Sequence, residues 1–150
     1  MALGGGAGLV AACDLALVSN KALFGFTEAR LGLAPAVIAP YVVEKIGIGA
    51  ARTLFVSGER FSAEEAKRLG LVQEVVEPDE LDYAVTERCK ALLKVGPCAV
   101  GAIKNLLRDI AGQTPEQSAE TTLACIADLR VSPEGQEGLR AFLEKRPPKF

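Results

Sequence analysis

The fold of this protein is decided by the stretch ALGGGAGLVAACD at residues 2–14. Three consecutive glycines, Gly4 to Gly6, precede the apolar run Leu9–Cys13, which is suited to a short buried helix. Glycines at the start of a helix let backbone N–H groups approach a ligand closely, and the helix dipole favours negative charge there. The stretch therefore predicts an anion or oxyanion site. The alternative from spacing alone is that the glycines only allow tight helix packing.

Two phosphate-binding motifs can be tested against these glycines by their spacing. A P-loop needs Gly-x-x-x-x-Gly-Lys-Ser/Thr, and a dinucleotide site needs Gly-x-Gly-x-x-Gly after a strand, with an acidic residue about 20 positions later. Neither pattern fits the chain well. The sequence therefore predicts neither a P-loop nor a dinucleotide site.

A second candidate group is the carboxylate of Glu28, which closely follows the apolar run Ala22–Phe26. This run and Asp14–Ser19 predict two short buried strands, separated by a turn at Asn20–Lys21. A carboxyl group in apolar surroundings suits proton transfer near neutral pH. The alternative is a helix-capping or surface acid that pairs with Arg30.

Beyond residue 40 the pattern is mainly helical. Ser62 and Glu65 fit a capping box, in which each side chain satisfies a backbone N–H of the other residue. A strand is predicted at Leu71–Val76, and helices are predicted at Pro40–Gly47, Gly49–Val56, Ser62–Gly70, Glu80–Leu93, Pro97–Ile110, Pro115–Leu129 and Pro133–Lys145. Residues 1–80 therefore carry the glycine and strand signals, and residues 81–150 are predicted to be helical.

Composition excludes several classes of function. The 150 residues are 49% hydrophobic and 24% charged, with a formal net charge of −2 and no histidine. This describes a globular domain that can bury a core, without the clustered basic surface that nucleic-acid binding requires. The absence of histidine excludes Ser-His-Asp and Cys-His catalysis and imidazole zinc sites, and no metal site is predicted.

The cysteines and the apolar segments bear on the compartment. Cys13, Cys89, Cys98 and Cys125 show no C-x-x-C spacing and predict free, buried thiols in a reducing compartment. The longest charge-free stretches fall short of the roughly 20 residues that a membrane-spanning helix needs, and the first residues do not read as a secretory signal. The sequence therefore predicts a cytoplasmic protein with neither a membrane nor a nucleic-acid partner.

Four stretches resemble the enoyl-CoA hydratase/isomerase (crotonase) family. Residues 2–14 and ALFGFTEARLGLAP at 22–35 are similar to its signature region, SGERFSAEEAKRLGLV at 57–72 to its next hallmark, and GLRAFLEKRPPKF at 138–150 to its usual C-terminus. The resemblance covers the whole chain but only the C-terminal portion of a family member of ordinary length. It implies a crotonase-like α/β fold, in which a few strands are followed by a helical trimerisation segment.

The resemblance also implies roles for individual residues. Two backbone N–H groups in this family hold the thioester oxygen of an acyl-CoA as negative charge builds on it, and the second donor matches Gly5. The second of two catalytic glutamates matches Glu28, and the position of the first is Gly8. Further substrate-binding positions match Gly4, Gly6, Leu33, Pro35, Phe142 and Lys145, of which the last two correspond to contacts with the CoA adenine and phosphates.

The assembly implied by the resemblance divides the chain at residue 80. Residues 1–80 would form the back part of the crotonase core, and residues 81–150 would form an oligomerisation segment of a homotrimer or a dimer of trimers. Coenzyme A would be part of the substrate, and no separate cofactor is implied. Half of the active site, including the first oxyanion donor, would lie outside these 150 residues.

Three functions stay open at this point. The preferred prediction is a hydratase that adds water to a 2-enoyl-CoA, because LAPAVIAPYVV at 33–43 resembles the methylglutaconyl-CoA or carboxygeranoyl-CoA hydratase branch, which also shows glycine at the position of Gly8. A single glutamate is instead the pattern of the isomerases, although Ala36 argues against a dienoyl-CoA isomerase. The third possibility is a catalytically silent helical oligomerisation module.

Overall fold

The computed structural model describes residues 1–150, which form two compact units, residues 1–86 and residues 87–150. Its five strands are β1 (Ala2–Leu3), β2 (Leu17–Ser19), β3 (Leu23–Gly25), β4 (Arg60–Ser62) and β5 (Glu74–Val76). Its seven helices are α1 (Gly5–Ala12), α2 (Ala39–Ser57), α3 (Ala63–Arg68), α4 (Leu81–Leu92), α5 (Pro97–Asp109), α6 (Pro115–Val131) and α7 (Pro133–Leu143). The predicted mixed α/β class is confirmed. No helix is both long enough and apolar enough to span a membrane.

The strands of the first unit form two small sheets. In the first sheet β3 is central, pairing in parallel with β1 and antiparallel with β4. The register places Ala2 opposite Phe24 and Leu3 opposite Gly25. Strands β2 and β5 pair in parallel in the second sheet, so the two predicted strands on either side of Asn20–Lys21 belong to different sheets.

The core of the first unit is built on aromatic rings behind the first sheet. Phe24 and Phe61 stack with centroids 5.7 Å apart, and Phe26 meets Phe55 edge-on at 5.0 Å. Phe24 and Phe26 are fully buried, and burial of each such side chain stabilises the fold by about 1.5–3 kcal/mol. These contacts fix β3 and the backbone that follows it.

The second unit consists mainly of α5, α6 and α7. Helix α6 begins with a capping box between Thr114 and Gln117, which the sequence analysis missed. The Glu134 carboxylate at the start of α7 accepts hydrogen bonds from the backbone N–H groups of Cys98 (3.0 Å) and Ala99 (2.8 Å). This carboxylate therefore caps α5 and also raises the pKa of the neighbouring Cys98 thiol, chiefly by charge repulsion of the thiolate.

The structure corrects three local predictions. Ser62 does cap α3 through the Glu65 N–H at 3.2 Å, but the Glu65 carboxylate pairs with Arg68 instead of completing a capping box. The strand predicted over Leu71–Val76 is shorter, because the N–H groups of Leu71 and Val72 donate to the Ala66 carbonyl oxygen in α3 and do not pair with another strand. The thiols are free, but the prediction that they are buried is wrong: Cys13, Cys89 and Cys98 are exposed, and Cys125 is half-buried.

The break predicted near Gly47 is confirmed. Helix α2 contains one non-helical residue, Gly47, with φ 77° and ψ 157°, which separates the two helical segments that the sequence predicts. The side chain of Lys45, just before this break, donates hydrogen bonds to the Cys13 carbonyl oxygen (2.6 Å) and the Asp14 carbonyl oxygen (3.2 Å). This contact ties α2 to the end of α1.

Candidate active site

The glycine turn and Glu28 meet at one edge of the first sheet. Because β1 and β3 run in parallel as neighbours, the residues that follow their carboxyl ends lie side by side. Gly4 follows β1 and donates its N–H to the Gly25 carbonyl oxygen at 2.9 Å. Glu28 follows β3 by a short connection and begins a 3-10 turn. Two stretches separated by about 20 residues of sequence are thereby joined into one site, as expected at the ends of parallel strands.

Gly4 is required both for its backbone conformation and for the space that it leaves. Its φ of 52° lies in the region that residues with a Cβ rarely adopt. A Cβ built at this position would also lie 3.2 Å from Oε1 of Glu28 and 3.6 Å from its Cδ. The missing side chain of Gly4 therefore leaves the space that the Glu28 carboxylate occupies.

The Glu28 carboxylate has unmet hydrogen-bonding capacity. Its Oε2 is buried and has no hydrogen-bond partner in the structure. Leaving a buried polar atom unpaired costs about 1–3 kcal/mol, and such atoms are concentrated at functional sites. The alternative pairing with Arg30 is not formed, because the Arg30 side chain packs over Gly58 and its Cγ lies 3.1 Å from the Cβ position there.

The first turn of α1 presents free backbone donors beside this carboxylate. The first hydrogen bond of the helix runs from the Gly8 N–H to the Gly4 carbonyl oxygen at 3.0 Å, and no side chain caps the helix. The N–H groups of Gly5 and Gly6 therefore precede the intrahelical ladder. Both glycines are exposed, and no atom lies within 4 Å of the Cβ position at Gly5. The Cβ position of Gly5 is therefore unobstructed.

Gly8, the position at which the resemblance expects a first catalytic glutamate, is packed against Ile38. A Cβ at residue 8 would stand 2.7 Å from the Ile38 Cβ and closer still to its Cγ2. Such distances are far inside ordinary van der Waals contact. Ile38 is itself almost fully buried and belongs to the core. Any side chain at residue 8 would therefore displace Ile38, so the site as folded has room for one glutamate.

The remaining predicted residues are distributed over the two units. Leu33 is 62% exposed and Pro35 is half-buried, and both lie on the loop that follows Glu28 in the first unit. Phe142 is 79% exposed near the end of α7, and Lys145 follows that helix with φ 54°. The structure thus brings Gly4, Gly5 and Glu28 together, while the two C-terminal residues belong to the second unit.

Two residues of interest were missed by the sequence analysis. One is Ile38, whose contact with Gly8 is a packing pair that sequence spacing does not reveal. Glu137, which binds Arg146 near the end of α7, was also missed. No group of three or more Cys, Asp or Glu side chains is placed to hold a metal ion.

Comparison with known proteins decides the family. The sequence profile of the enoyl-CoA hydratase/isomerase family matches residues 1–150. This chain belongs to that family. A crystal structure of a Legionella pneumophila protein assigned to enoyl-CoA hydratase/isomerase (crotonase) is 47% identical, with a TM-score of 0.90 over 98% of this chain and 57% of that one.

Two further relatives agree with this assignment. The enoyl-CoA hydratase of Shewanella pealeana is 40% identical, with a TM-score of 0.93 over 99% of this chain and 56% of that one. The crotonyl-CoA hydratase of Syntrophomonas wolfei is 32% identical over 99% of this chain and 58% of its own length. The crotonase-like fold predicted from the sequence is thereby confirmed. The 150 residues span less than three fifths of the length of each of these relatives.

Proposed function

We propose that these residues supply the proton-handling carboxylate and one oxyanion donor of an acyl-CoA hydratase. The observation that carries the proposal is the buried, unpartnered Oε2 of Glu28, which lies next to the Gly4 turn and the uncapped first turn of α1. A buried carboxylate oxygen without a partner is ready to meet a substrate atom. The backbone donors of the helix start suit a negative charge.

The reaction would use these groups on two different atoms of the thioester. Water adds to the β-carbon of a 2-enoyl-CoA, and the negative charge that develops on the thioester oxygen is held by the N–H of Gly5. Glu28 takes up the proton that the adding water loses and delivers it to the α-carbon, and in the reverse direction it removes the α-proton and returns it to the leaving hydroxyl group as water. A donor aimed at developing charge is worth about 3–4 kcal/mol, and a positioned acid or base about 100- to 10,000-fold in rate.

The position of Gly5 supports its part in this proposal. A substrate carbonyl must come close to the backbone N–H, and Gly5 is exposed, with no atom within 4 Å of its Cβ position. Its neighbours have different surroundings, since the Cβ position of Gly4 is next to Glu28 and that of Gly6 is 3.9 Å from the Ala2 Cβ. We expect Gly4 and Gly6 to shape the turn while Gly5 faces the substrate. The first oxyanion donor of the family's pair is expected from outside residues 1–150.

Leu33, Pro35, Phe142 and Lys145 complete the proposed substrate contacts. Leu33 and Pro35 would line the acyl group, because they follow Glu28 on the same loop. Phe142 offers an exposed ring for the adenine of CoA, and Lys145 offers an ammonium group for its phosphates. No cofactor beyond the CoA carried by the substrate is proposed.

Oligomerisation through the second unit is also proposed. Its helices expose large apolar side chains, among them Leu107 (61%), Leu123 (67%), Ile126 (59%) and Leu143 (79%). Large apolar patches on a protein surface typically bind a partner, and these exposed side chains support the proposal in that sense. A homotrimer or a dimer of trimers, and a cytoplasmic location, are the expectations that accompany the hydratase. The methylglutaconyl-CoA or carboxygeranoyl-CoA branch stays a prediction.

An isomerase is the second candidate, and the contact between Gly8 and Ile38 favours it. Hydratases of this type use two glutamates, and Ile38 leaves no room for a side chain at residue 8. A single glutamate can move a proton between the α- and γ-carbons without holding a water molecule. The two functions differ in whether water enters the product, so both must be measured on the same substrates.

The proposal is tested by a chimera with a relative of named activity. The 150 residues replace the matching segment of the Syntrophomonas wolfei crotonyl-CoA hydratase, and hydration of crotonyl-CoA and isomerisation of 3-enoyl-CoA are both followed. We expect the isolated 150 residues to give only a trace of hydration and the chimera to be active. A folded chimera that binds a CoA thioester but catalyses neither reaction would show that these residues are a silent module.

A further inference from the structure

Lys145 has a backbone conformation that no other residue with a side chain adopts in this protein. It is the only residue other than glycine with positive φ, at 54°. The remaining left-handed positions are all glycines, namely Gly4, Gly32, Gly47, Gly58, Gly70 and Gly112. A residue with a Cβ is disfavoured in this region, so a lysine here is retained against the local preference of the backbone.

The backbone hydrogen bonds at the end of α7 impose this conformation on Lys145. The Arg146 N–H donates to the Ala141 carbonyl oxygen at 3.0 Å, and the Lys145 N–H donates to the Phe142 carbonyl oxygen at 3.2 Å. These two bonds form a Schellman motif, whose left-handed position is normally glycine. Glycine would end the helix equally well. The presence of lysine therefore points to a use for its side chain.

The chain that follows Lys145 is fixed by Glu137. The Arg146 guanidinium binds the Glu137 carboxylate through two hydrogen bonds of 2.7 and 3.0 Å, and its Nε binds Glu144 at 2.6 Å. The backbone N–H of Lys149 also donates to Glu137 at 2.8 Å. One carboxylate thus holds the chain immediately after Lys145 and again four residues after it.

This network, which we name the Glu137 clamp, consists of Glu137, Glu144, Arg146 and the backbone of Lys149. The clamp is partly shielded, because the Arg146 and Glu137 side chains are only 31% and 23% exposed. The Arg146 hydrogen bonds and the Lys149 N–H lower the pKa of Glu137 to about 2, so its carboxylate is charged at neutral pH. A partly buried, bidentate arginine–carboxylate pair fixes the relative orientation of its two side chains. The clamp can therefore hold a strained neighbour in one orientation.

We propose that Glu137 is a positioning residue for substrate binding, because the clamp holds Lys145 in its left-handed conformation and so presents its ammonium group to the phosphates of CoA. This inference rests on the proposed function, which assigns Lys145 to those phosphates, and adds a residue that does not itself touch the substrate. Glu137 acts on binding only through Lys145. Its removal should weaken binding of the phosphate-bearing part of the ligand and leave the remainder unchanged.

The test compares free CoA with pantetheine, which lacks every phosphate of CoA, by calorimetric titration of the intact protein. Glu137→Gln should raise the Kd for CoA about tenfold, as expected for losing part of a charge-assisted interaction, and leave the Kd for pantetheine unchanged. The matched control is Glu65→Gln, which breaks the two-pronged pair of Glu65 with Arg68 in the first unit. That control should change neither Kd.

A double variant separates positioning from general stability. Lys145→Gly suits the left-handed backbone, so its thermal midpoint should not fall, while its Kd for CoA rises at least about tenfold. In the Lys145→Gly background, Glu137→Gln should then have no further effect on the Kd for CoA. Additive effects, equal weakening of CoA and pantetheine, or an unchanged Kd in Glu137→Gln would each overturn the proposal.

Hydration of crotonyl-CoA by the chimera described above, which is the form expected to be active, is recorded beside these titrations. If hydration occurs but the Kd pattern is absent, the role of Glu137 is wrong and the proposed function stands. If the Kd pattern appears without hydration, the clamp is supported and the hydratase assignment falls. An unmodified protein that does not bind CoA would overturn the role of Glu137 outright.

Discussion

The Cβ position of Gly4 lies 3.2 Å from Oε1 of Glu28, so the glycine turn and the carboxylate are two sides of a single packed contact. The sequence gives no sign that these two residues are in contact, since 24 positions separate them. The parallel pairing of β1 with β3 brings them together. It also places the free N–H groups of the α1 start beside the one buried carboxylate oxygen that lacks a partner.

Gly4→Ala should lower both stability and activity. The alanine must adopt the positive φ of Gly4, a sparsely populated conformation that costs about 1–3 kcal/mol, and its methyl group presses on Glu28. Gly112→Ala is the matched control, because Gly112 has φ 74° but an open Cβ position. Thermal unfolding should show a loss of stability in both variants, and hydration assays should show a loss of activity in Gly4→Ala alone. Equal activity in the two variants would mean that Glu28 does not need its present position.

Gly5→Val should lower the rate of hydration while the protein still folds. Gly5 has no positive φ and no neighbour near its Cβ position, so a valine can be accommodated by the fold. Its methyl groups would occupy the space in front of the N–H donor, and hydration should fall at least about a hundredfold. Gly101→Val in α5, where the Cβ position is also open, is the control for helix propensity. Near-normal hydration by a folded Gly5→Val variant would leave the glycines with a packing role only.

Gly8→Glu alone should destabilise the protein and should not raise the ratio of hydration to isomerisation. The added side chain collides with Ile38, and overpacking of this kind costs about 1–3 kcal/mol. Combined with Ile38→Gly, the same glutamate has space to hold a water molecule, so the ratio of hydration to isomerisation should rise only in the double variant. The measurement is both rates on one substrate series, with Ile38→Gly alone as control. A raised ratio in folded Gly8→Glu alone would show that Ile38 does not block this position.

The Glu137 clamp should be lost in acid. Arg146 and the Lys149 N–H lower the pKa of Glu137 to about 2, below the ordinary value of 4.5. Its contribution to stability is therefore complete above about pH 4.5 and is lost as the pH falls through about 2. Hydrogen exchange at the Lys149 N–H, measured from pH 6 to pH 2, should show protection falling over this window. Glu137→Gln should remove that protection at every pH, and an unchanged pH dependence in the variant would assign the transition to another group.

Short-range sequence signals predicted most of the helices and their ends. The prolines at the starts of α5, α6 and α7 and the break at Gly47 mark positions where backbone geometry depends on single residues. The Ser62 cap was equally local, but its partner was not. Glu65 has both a backbone donor and Arg68 within reach, and the ion pair with Arg68 forms instead of the second half of the box.

The contacts that make the site could not be predicted from spacing. The two-residue strand β1 is too short to show an alternating pattern, and its pairing with β3 depends on tertiary packing. The contact between Gly8 and Ile38 joins residues on two elements whose relative position no local signal specifies. The cysteines illustrate the same point, because an apolar residue type does not determine which face of a helix becomes buried.

The most direct test of the account is the fate of the α-carbon proton in Glu28→Gln. The chimera is incubated with crotonyl-CoA in deuterium oxide, and both hydration and deuterium at the α-carbon are followed, with the exposed Glu44→Gln in α2 as control. The amide keeps the shape of the carboxylate but cannot exchange a proton, so both signals should fall together by at least about a hundredfold in Glu28→Gln and remain normal in the control. If Glu28→Gln hydrates crotonyl-CoA and incorporates deuterium at nearly the unmodified rate, Glu28 is not the proton-handling group.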